Sequence, residues 1–368
     1  MDLKNRQHLF ILSFDMRNFL FKIAFSVIFI GLLPFISFLV MWLTGELLSF
    51  KEVYSKLESN REALYSPAFH NSVRSFKMRG VWNVNPDILV LGNSRVLGIQ
   101  SSFWDSKYSF FNAGLAISKL SHFEPFLKLI PEENNVKYLI LGLDVYFFNE
   151  AYHKRSNYND HTLELKTEPS AYSIVKAGWK NFYRGYFKRD WRLEELFSKE
   201  HLGIHAKSTN RGFRWDGSYD RQVALKGRLR PYFDEHLQRI KMSGERYEYG
   251  DEVSINALTQ LEDLLKFCKM RNWKVVAFTP PYAPSIYSEI LSKPNEYKYF
   301  FQVFERIKPI FTERGYEVFD FSDPATIGLS NDNFEDALHL IDNSELAILK
   351  EMARKDKVFK AMLAEGDF

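Results

Sequence analysis

"PDILVLGNSRVLGIQ", residues 86–100, runs from an aliphatic stretch, Ile88 to Leu91, straight into Gly92-Asn93-Ser94-Arg95. Four consecutive aliphatic residues fit a strand covered on both faces, because successive side chains of a strand point to opposite sides. A small residue, an amide, a hydroxyl and a guanidinium then follow. Either this is a plain turn, or it is a hydroxyl exposed at the carboxyl end of a buried strand, where open parallel sheets bind their ligands.

The surrounding pattern favours the second reading. Similar short apolar runs recur as "YSFFNAG" (108–114), "VKYLILGLD" (136–144), "WKVVAFTPP" (273–281) and "YEVFDFSD" (316–323). Helical periodicity separates them over Ser118 to Ile130, Ser254 to Met270, Tyr297 to Arg314 and Asn343 to Phe359. Strand and helix in alternation predict an α/β fold, a parallel sheet with helices on both faces. The alternation lapses over 151–253, which predicts a large insertion. Between 176 and 246 this stretch holds 17 Lys/Arg against 9 Asp/Glu, interleaved with aromatics as in "GWKNFYRGYFKRDWRLEELF". It reads either as a surface-covering subdomain or as a face for lipid headgroups, a membrane partner or an anionic glycan.

Composition excludes several classes. A net charge of +3 over 368 residues gives no global field for nucleic acid. The single cysteine, Cys268, rules out an internal disulfide framework and a cysteine-based zinc site. His201, His205 and His236 lack carboxylates at ligand spacing, His153 and His161 lie in a polar loop, and "DNFED" lacks EF-hand spacing. No G-x-G-x-x-G follows a strand and no Walker A occurs, so neither a metal nor a cofactor is expected.

Ile23 to Gly45 carries no charge and as a helix would be long enough to cross a ~30 Å hydrocarbon core. Lys4, Arg6, Arg17 and Lys22 precede it, which places the N-terminus in the cytoplasm and the body outside. The expected organisation is a cytoplasmic stub and transmembrane anchor (1–45), a helical linker (46–80), an α/β domain (81–150 and 254–368) and the basic aromatic insertion (151–253).

At the carboxyl ends of the predicted strands stand Gly92-Asn93-Ser94-Arg95, Asn112-Ala113-Gly114, Gly142-Leu143-Asp144 and Thr279-Pro280-Pro281; after the last strand comes "NDNFEDALHLID", with Asp336 and His339 spaced i, i+3. A serine hydroxyl needs a base to take its proton, and the base needs a partner to hold its tautomer. Ser94, His339 and Asp336 are the candidates for those roles. The backbone N–H groups of Ser94 and Gly114 are candidate oxyanion donors. Arg95, Asn93 and Asn112 are candidates to touch substrate. Arg95 reads equally as the partner of a nearby carboxylate, whereas Asn112 reads first as the residue that holds its loop.

This order of blocks resembles the SGNH (GDSL-like) hydrolase superfamily over 81–150 and 254–355, skipping the insertion. Ser94 falls on the nucleophile block, Gly114 on the oxyanion glycine, and Asp336 with His339 on the final D-x-x-H block. The wording "GNSR" is similar to that of the membrane-anchored branch that serves alginate and other exopolysaccharide O-acetylation, which includes the D-alanyl transfer protein of the teichoic acid pathway. "RGFRWDGSYDR" (211–221) also looks like a segment of such proteins. The resemblance implies a flavodoxin-like sheet and an extracytoplasmic Ser-His-Asp acyltransferase. It would move an acyl group, such as acetyl, onto polysaccharide hydroxyls together with a membrane-bound O-acyltransferase. A carbohydrate esterase with the same triad and a non-catalytic scaffold are the alternatives. Two positions depart from the pattern. Asp144 stands where the family has an oxyanion-donating Asn, and Asn93 where it has Asp. An ionised Asp144 cannot donate, so it is protonated, or points elsewhere, or the hole uses two backbone donors.

Overall fold

The strands place the site. In the computed structural model, which describes residues 3–67, 73–154, 200–221, 233–341 and 343–364 with isolated helical positions between 172 and 196, all five expected strands form. They are β1 (Ile88–Leu91), β2 (Phe110–Ala113), β3 (Tyr138–Gly142), β6 (Lys274–Thr279) and β7 (Glu317–Asp320). A separate two-stranded hairpin, β4 (Gly212–Phe213) and β5 (Tyr219–Asp220), lies between β3 and β6 in the chain. The main sheet has the order β2-β1-β3-β6-β7 and every pairing is parallel. This is the doubly wound order whose crevice opens between the first and third strands, at their carboxyl ends.

All four residues of β1 are fully buried, and so are those of β2. Side chains alternate in direction along a strand, so burial of every one means that both faces of the sheet are covered. Register brings Leu91, Ala113 and Leu141 level, with Gly142 beside Phe278 and Thr279 beside Asp320. The residues that follow the strands therefore collect along one edge.

Three regions differ from expectation. The stretch 46–80 is helical as expected, but its described helices pack into the core. A capping box of Ser49 and Glu52 starts α2 (Phe50–Ser59), the pairing that fastens many helix N-termini. Helix α3 (Val73–Val84) packs on β2. Phe50, Val53, Tyr54, Leu57 and Phe76 join the same core as the strands. Gly80 explains the close approach, since a Cβ there would lie 2.1 Å from the Phe111 ring and 2.3 Å from the Tyr54 hydroxyl.

Nor do the described parts of 151–253 form a separate module. Phe213, Ile240, Tyr247 and Val253 are buried in the main core, and the hairpin is fastened to the end of β2. Asn112 N–H donates to Asp216 O at 2.8 Å, and the fully buried Lys77 donates from Nζ to Asn112 O at 3.0 Å and to Gly217 O. Most of the basic stretch 178–199, and His161, lie outside the described residues.

The third difference concerns the anchor expected over 23–45. Among the described residues no helix is long and apolar enough to cross a membrane, so the anchor has no support there. Residues 23–44 form the second half of the 42-residue helix α1 (Leu3–Thr44). The end of α1 is held by protein. Val40 and Met41 cluster with Leu196 and Ile204, and Glu46 accepts a bond from Ile204 N–H at 2.6 Å.

Helices α4 (Phe123–Lys128), α5 (Ile255–Met270), α6 (Pro284–Leu291), α7 (Lys298–Thr312) and α8 (Glu345–Lys355) complete the α/β frame. Helix α5 packs on β6 and α7 on β7. The sequence periodicity over Ser118 to Ile130 resolves into a short 3-10 turn, Leu120–His122, and the six-residue α4.

Candidate active site

Ser94 opens a single 3-10 turn, Ser94–Val96, directly after β1. Asn93 caps it, its side-chain oxygen accepting from Arg95 N–H at 2.9 Å. Val96 folds back over Gly92 and Gly142, and a Cβ on Gly142 would meet it at 2.3 Å. The turn is thereby wedged between the ends of β1 and β3.

Asp336 and His339 come from a loop between β7 and α8. Phe334 and Leu340 bridge antiparallel, and Glu335 N–H donates to His339 O at 2.8 Å, so the residues between form a closed tip. Asp336 does not cap a helix. Its Oδ1 accepts from Leu338 N–H and His339 N–H, each at 2.9 Å, inside the tip. Helix α8 begins later, after Ser344.

The tip meets the turn. His339 Nε2 and Ser94 Oγ are 2.7 Å apart, and His339 Nδ1 and Asp336 Oδ2 are 2.8 Å apart. Residues 245 positions apart in the chain thus form one hydrogen-bonded series. Burial is the largest influence on Asp336 and opposes its charge. The hydrogen bond and charge of His339 and the two backbone donors outweigh burial and hold the carboxyl well below the usual carboxylate range. Burial also pushes the His339 imidazolium down, and the nearby charge of Arg221 adds to this. The bond and charge of Asp336 pull the other way without restoring the ordinary value, and Arg246 lowers it further. A neutral imidazole with an acceptor nitrogen toward a serine hydroxyl can take its proton.

The candidate oxyanion donors are placed differently from expectation. Asp144 is fully buried and paired to Arg95, itself almost fully buried. Arg95 also donates from Nη2 to Pro280 O at 2.9 Å and to Pro281 O at 2.6 Å, and stacks 4.5 Å over the Tyr282 ring. Burial works against the Arg95 charge, but Asp144 more than compensates and raises its pKa. Asp144 therefore points into the protein, and Arg95 serves it rather than a substrate. Asn93 is likewise committed, donating from Nδ2 to Asp144 and to the Tyr146 hydroxyl. This also accounts for the amide at position 93: facing a carboxylate at 144, residue 93 must donate.

Asn112 is fully buried and donates to Val96 O and Ile99 O, each at 2.7 Å. Its oxygen accepts from Gly114 N–H at 2.7 Å. Asn112 thus holds the loop after β1, and the Gly114 N–H is occupied. Of the donors expected from the sequence, the Ser94 N–H alone takes no hydrogen-bond partner among the described residues.

Sequence reasoning missed the cationic wall. Arg221, just after β5, donates from Nη2 to Ser94 O at 2.9 Å. Arg211 and Arg221 share Glu335, at 2.9 and 3.4 Å. His236, which lacks carboxylates at ligand spacing in the sequence, bonds the Tyr247 hydroxyl at 2.8 Å and lies close enough to Asp336 to feel its charge. The signal for Arg221 lay in "RGFRWDGSYDR", but nothing in the sequence told where that segment folds. Among the described residues there is no cluster of His, Cys, Asp or Glu that could hold a metal ion.

In comparisons with known proteins, no family model, no curated protein and no solved structure matches the chain.

Proposed function

We propose that the chain is an SGNH-like acyl-transfer enzyme with Ser94 as nucleophile. The observation that carries this reading is the series Ser94–His339–Asp336, joined by hydrogen bonds of 2.7 and 2.8 Å at the carboxyl edge of a parallel sheet. His339 takes the Ser94 proton as Oγ attacks an acyl carbonyl. Asp336 fixes the imidazole tautomer and stabilises the imidazolium. The acyl group then passes from Ser94 to an acceptor, His339 returning its proton to the leaving group at collapse and serving again as base toward the acceptor hydroxyl.

The acceptor in this reading is a hydroxyl of a cell-surface or secreted polysaccharide, and the donor is loaded by a membrane-bound O-acyltransferase. The resemblance of the "GNSR", glycine and D-x-x-H blocks supports it. Membrane attachment through α1, with the body extracytoplasmic, is part of the same proposal. Exposed Phe19, Phe21, Phe25, Phe35, Phe38 and Trp42 on α1 support contact with lipid. Tethering raises the effective concentration of the enzyme beside a membrane partner, which favours transfer over free hydrolysis.

A second reading, a non-catalytic scaffold, is favoured by one observation. Gly114 N–H and Asp144, two expected oxyanion groups, are both engaged inside the protein.

The test is intact-mass analysis of the full chain in detergent after exposure to an activated acetyl ester. An acetyl group on Ser94 that discharges faster with added polysaccharide supports transfer. Discharge at one rate with or without polysaccharide points to an esterase, and no adduct favours the scaffold.

A further inference from the structure

With Gly114 N–H and Asp144 engaged elsewhere, the Ser94 N–H is left as a lone donor for a tetrahedral intermediate. We propose that Arg221 is a catalytic residue, its guanidinium completing the oxyanion site beside the Ser94 N–H. This rests on the reading of Ser94 as nucleophile.

Position comes first. Arg221 Nη2 lies 2.9 Å from the carbonyl of Ser94 itself, so the cation sits against the nucleophile's own backbone. The loop that carries Ser94 also fixes the hairpin that carries Arg221. Tyr219 N–H donates to Leu97 O at 2.9 Å, and Ser101 N–H donates to Asp216 Oδ2 at 2.6 Å. Asp216 Oδ1 in turn accepts from Ser218 N–H at 2.9 Å and from its hydroxyl at 2.6 Å, which stiffens the hairpin tip. The nucleophile's loop and the cation's hairpin are therefore fastened to each other.

Capacity comes second. A guanidinium has five N–H donors. The contacts of Arg221 among the described residues are Ser94 O and, at 3.4 Å, Glu335, and its Nε is buried with no partner. Its side chain is 12% exposed, reachable from solvent but little enough for its charge to act with weak screening. Glu335 is shared with Arg211, so one carboxylate faces two guanidinium groups and a positive charge remains beside Ser94.

The step balances without a further reagent. Ser94 Oγ forms a bond to the acyl carbon while its proton passes to His339 Nε2. The carbonyl π pair moves onto the oxygen, which the Ser94 N–H and Arg221 hold. Collapse restores the carbonyl and expels the leaving group, which takes the proton from His339.

The experiment is single-turnover acetylation of the full-length protein by 4-nitrophenyl acetate, with Ser94 occupancy read by mass. Arg221→Ala is expected to lose on the order of 10²–10³-fold in acylation rate, with ester affinity changed little. Added guanidinium ion at low, non-denaturing concentration is expected to recover part of the loss, where equal sodium chloride does not. Arg221→Lys, which keeps the charge, is expected to lose less than Arg221→Ala and covers the case in which the alanine variant does not fold. Arg214→Ala breaks the Arg214–Asp220 pair on the same hairpin without touching Ser94 and is expected to keep the wild-type rate. The acid limb gives an independent readout. Arg221, Asp336 and Arg246 are the charges that act most on His339, with Glu335 paired to Arg221 and His236 near Asp336, and loss of Arg221 is expected to move that limb to higher pH. Wild-type rates in Arg221→Ala, or equal losses in Arg214→Ala, would overturn the role of Arg221 alone. A wild-type protein that takes no acetyl group would overturn the nucleophile reading and this proposal together.

Discussion

Asn93 and Asp144 face each other across the carboxyl ends of β1 and β3, the amide donating to the carboxylate, with Arg95 paired to the same carboxylate. Both side chains are buried, so their complementarity is fixed by the surrounding protein rather than by water. Asp144→Asn leaves Arg95 as an uncompensated buried charge and is expected to cost about 3–5 kcal/mol in denaturant unfolding. Asn93→Asp sets two carboxylates against each other and is also expected to destabilise. Combining them restores one donor and one acceptor. The double variant should therefore be more stable than the sum of the single losses by about 0.5–3 kcal/mol. Strict additivity in urea unfolding would show that the two side chains do not couple.

Asp336→Asn keeps the shape of the loop tip but no longer holds the His339 tautomer. By analogy with other triads, the acylation rate should fall on the order of 10⁴-fold with Ser94 still present. Rapid-quench acetylation reads this directly. A loss of less than tenfold would remove Asp336 from the mechanism.

The pH dependence follows from the neutral imidazole. His339 has its pKa lowered, first by burial and then by Arg221. As pH falls through that value the ring protonates, loses its acceptor nitrogen and can no longer take the Ser94 proton. Acylation should therefore rise with pH to a plateau reached by neutrality, with its midpoint below the ordinary histidine value of about 6.5. Asp336 stays ionised across this window, because its carboxyl lies well below the usual carboxylate range. A midpoint above 7 in the rate profile would contradict the site as described.

Gly80→Ala tests whether α3 belongs to the core. The added Cβ would sit 2.1 Å from the Phe111 ring, and overpacking of this kind costs about 1–3 kcal/mol. The melting temperature should drop while Ser94 acylation, measured well below it, stays near wild type. An unchanged melting temperature would mean that α3 does not pack on β2 as found.

The sheet was legible because its strands are buried on both faces and so read as continuous apolar runs, each ending in polar or small residues. Ser94, Asp336 and His339 were legible for a related reason. Strand ends are where such sheets expose chemistry, and the spacing of Asp336 and His339 is local. The destinations of Asp144 and Arg95 were not legible. Whether a carboxylate donates, repels or pairs depends on which cation packs beside it, and Arg95 is held inward by Asp144, by the Pro280 and Pro281 carbonyls and by the Tyr282 ring. The same holds for Arg221. Its place beside Ser94 arises from long-range fastening of the hairpin by Lys77, Asn112 and Asp216, which no local pattern announces. That 46–80 is helical was legible, but its packing was not, because apolar residues on one helix face fit a surface helix as well as a buried one.

The most direct measurement is labelling of the full-length protein with a fluorophosphonate probe, the modified residue located by peptide mass spectrometry. Attack on phosphorus needs an activated hydroxyl and no particular acyl donor or acceptor. One adduct is expected, on Ser94, formed at neutral pH and lost in His339→Ala. An unlabelled protein, or a label on another residue that survives His339→Ala, would contradict the claim that Ser94 is the activated nucleophile.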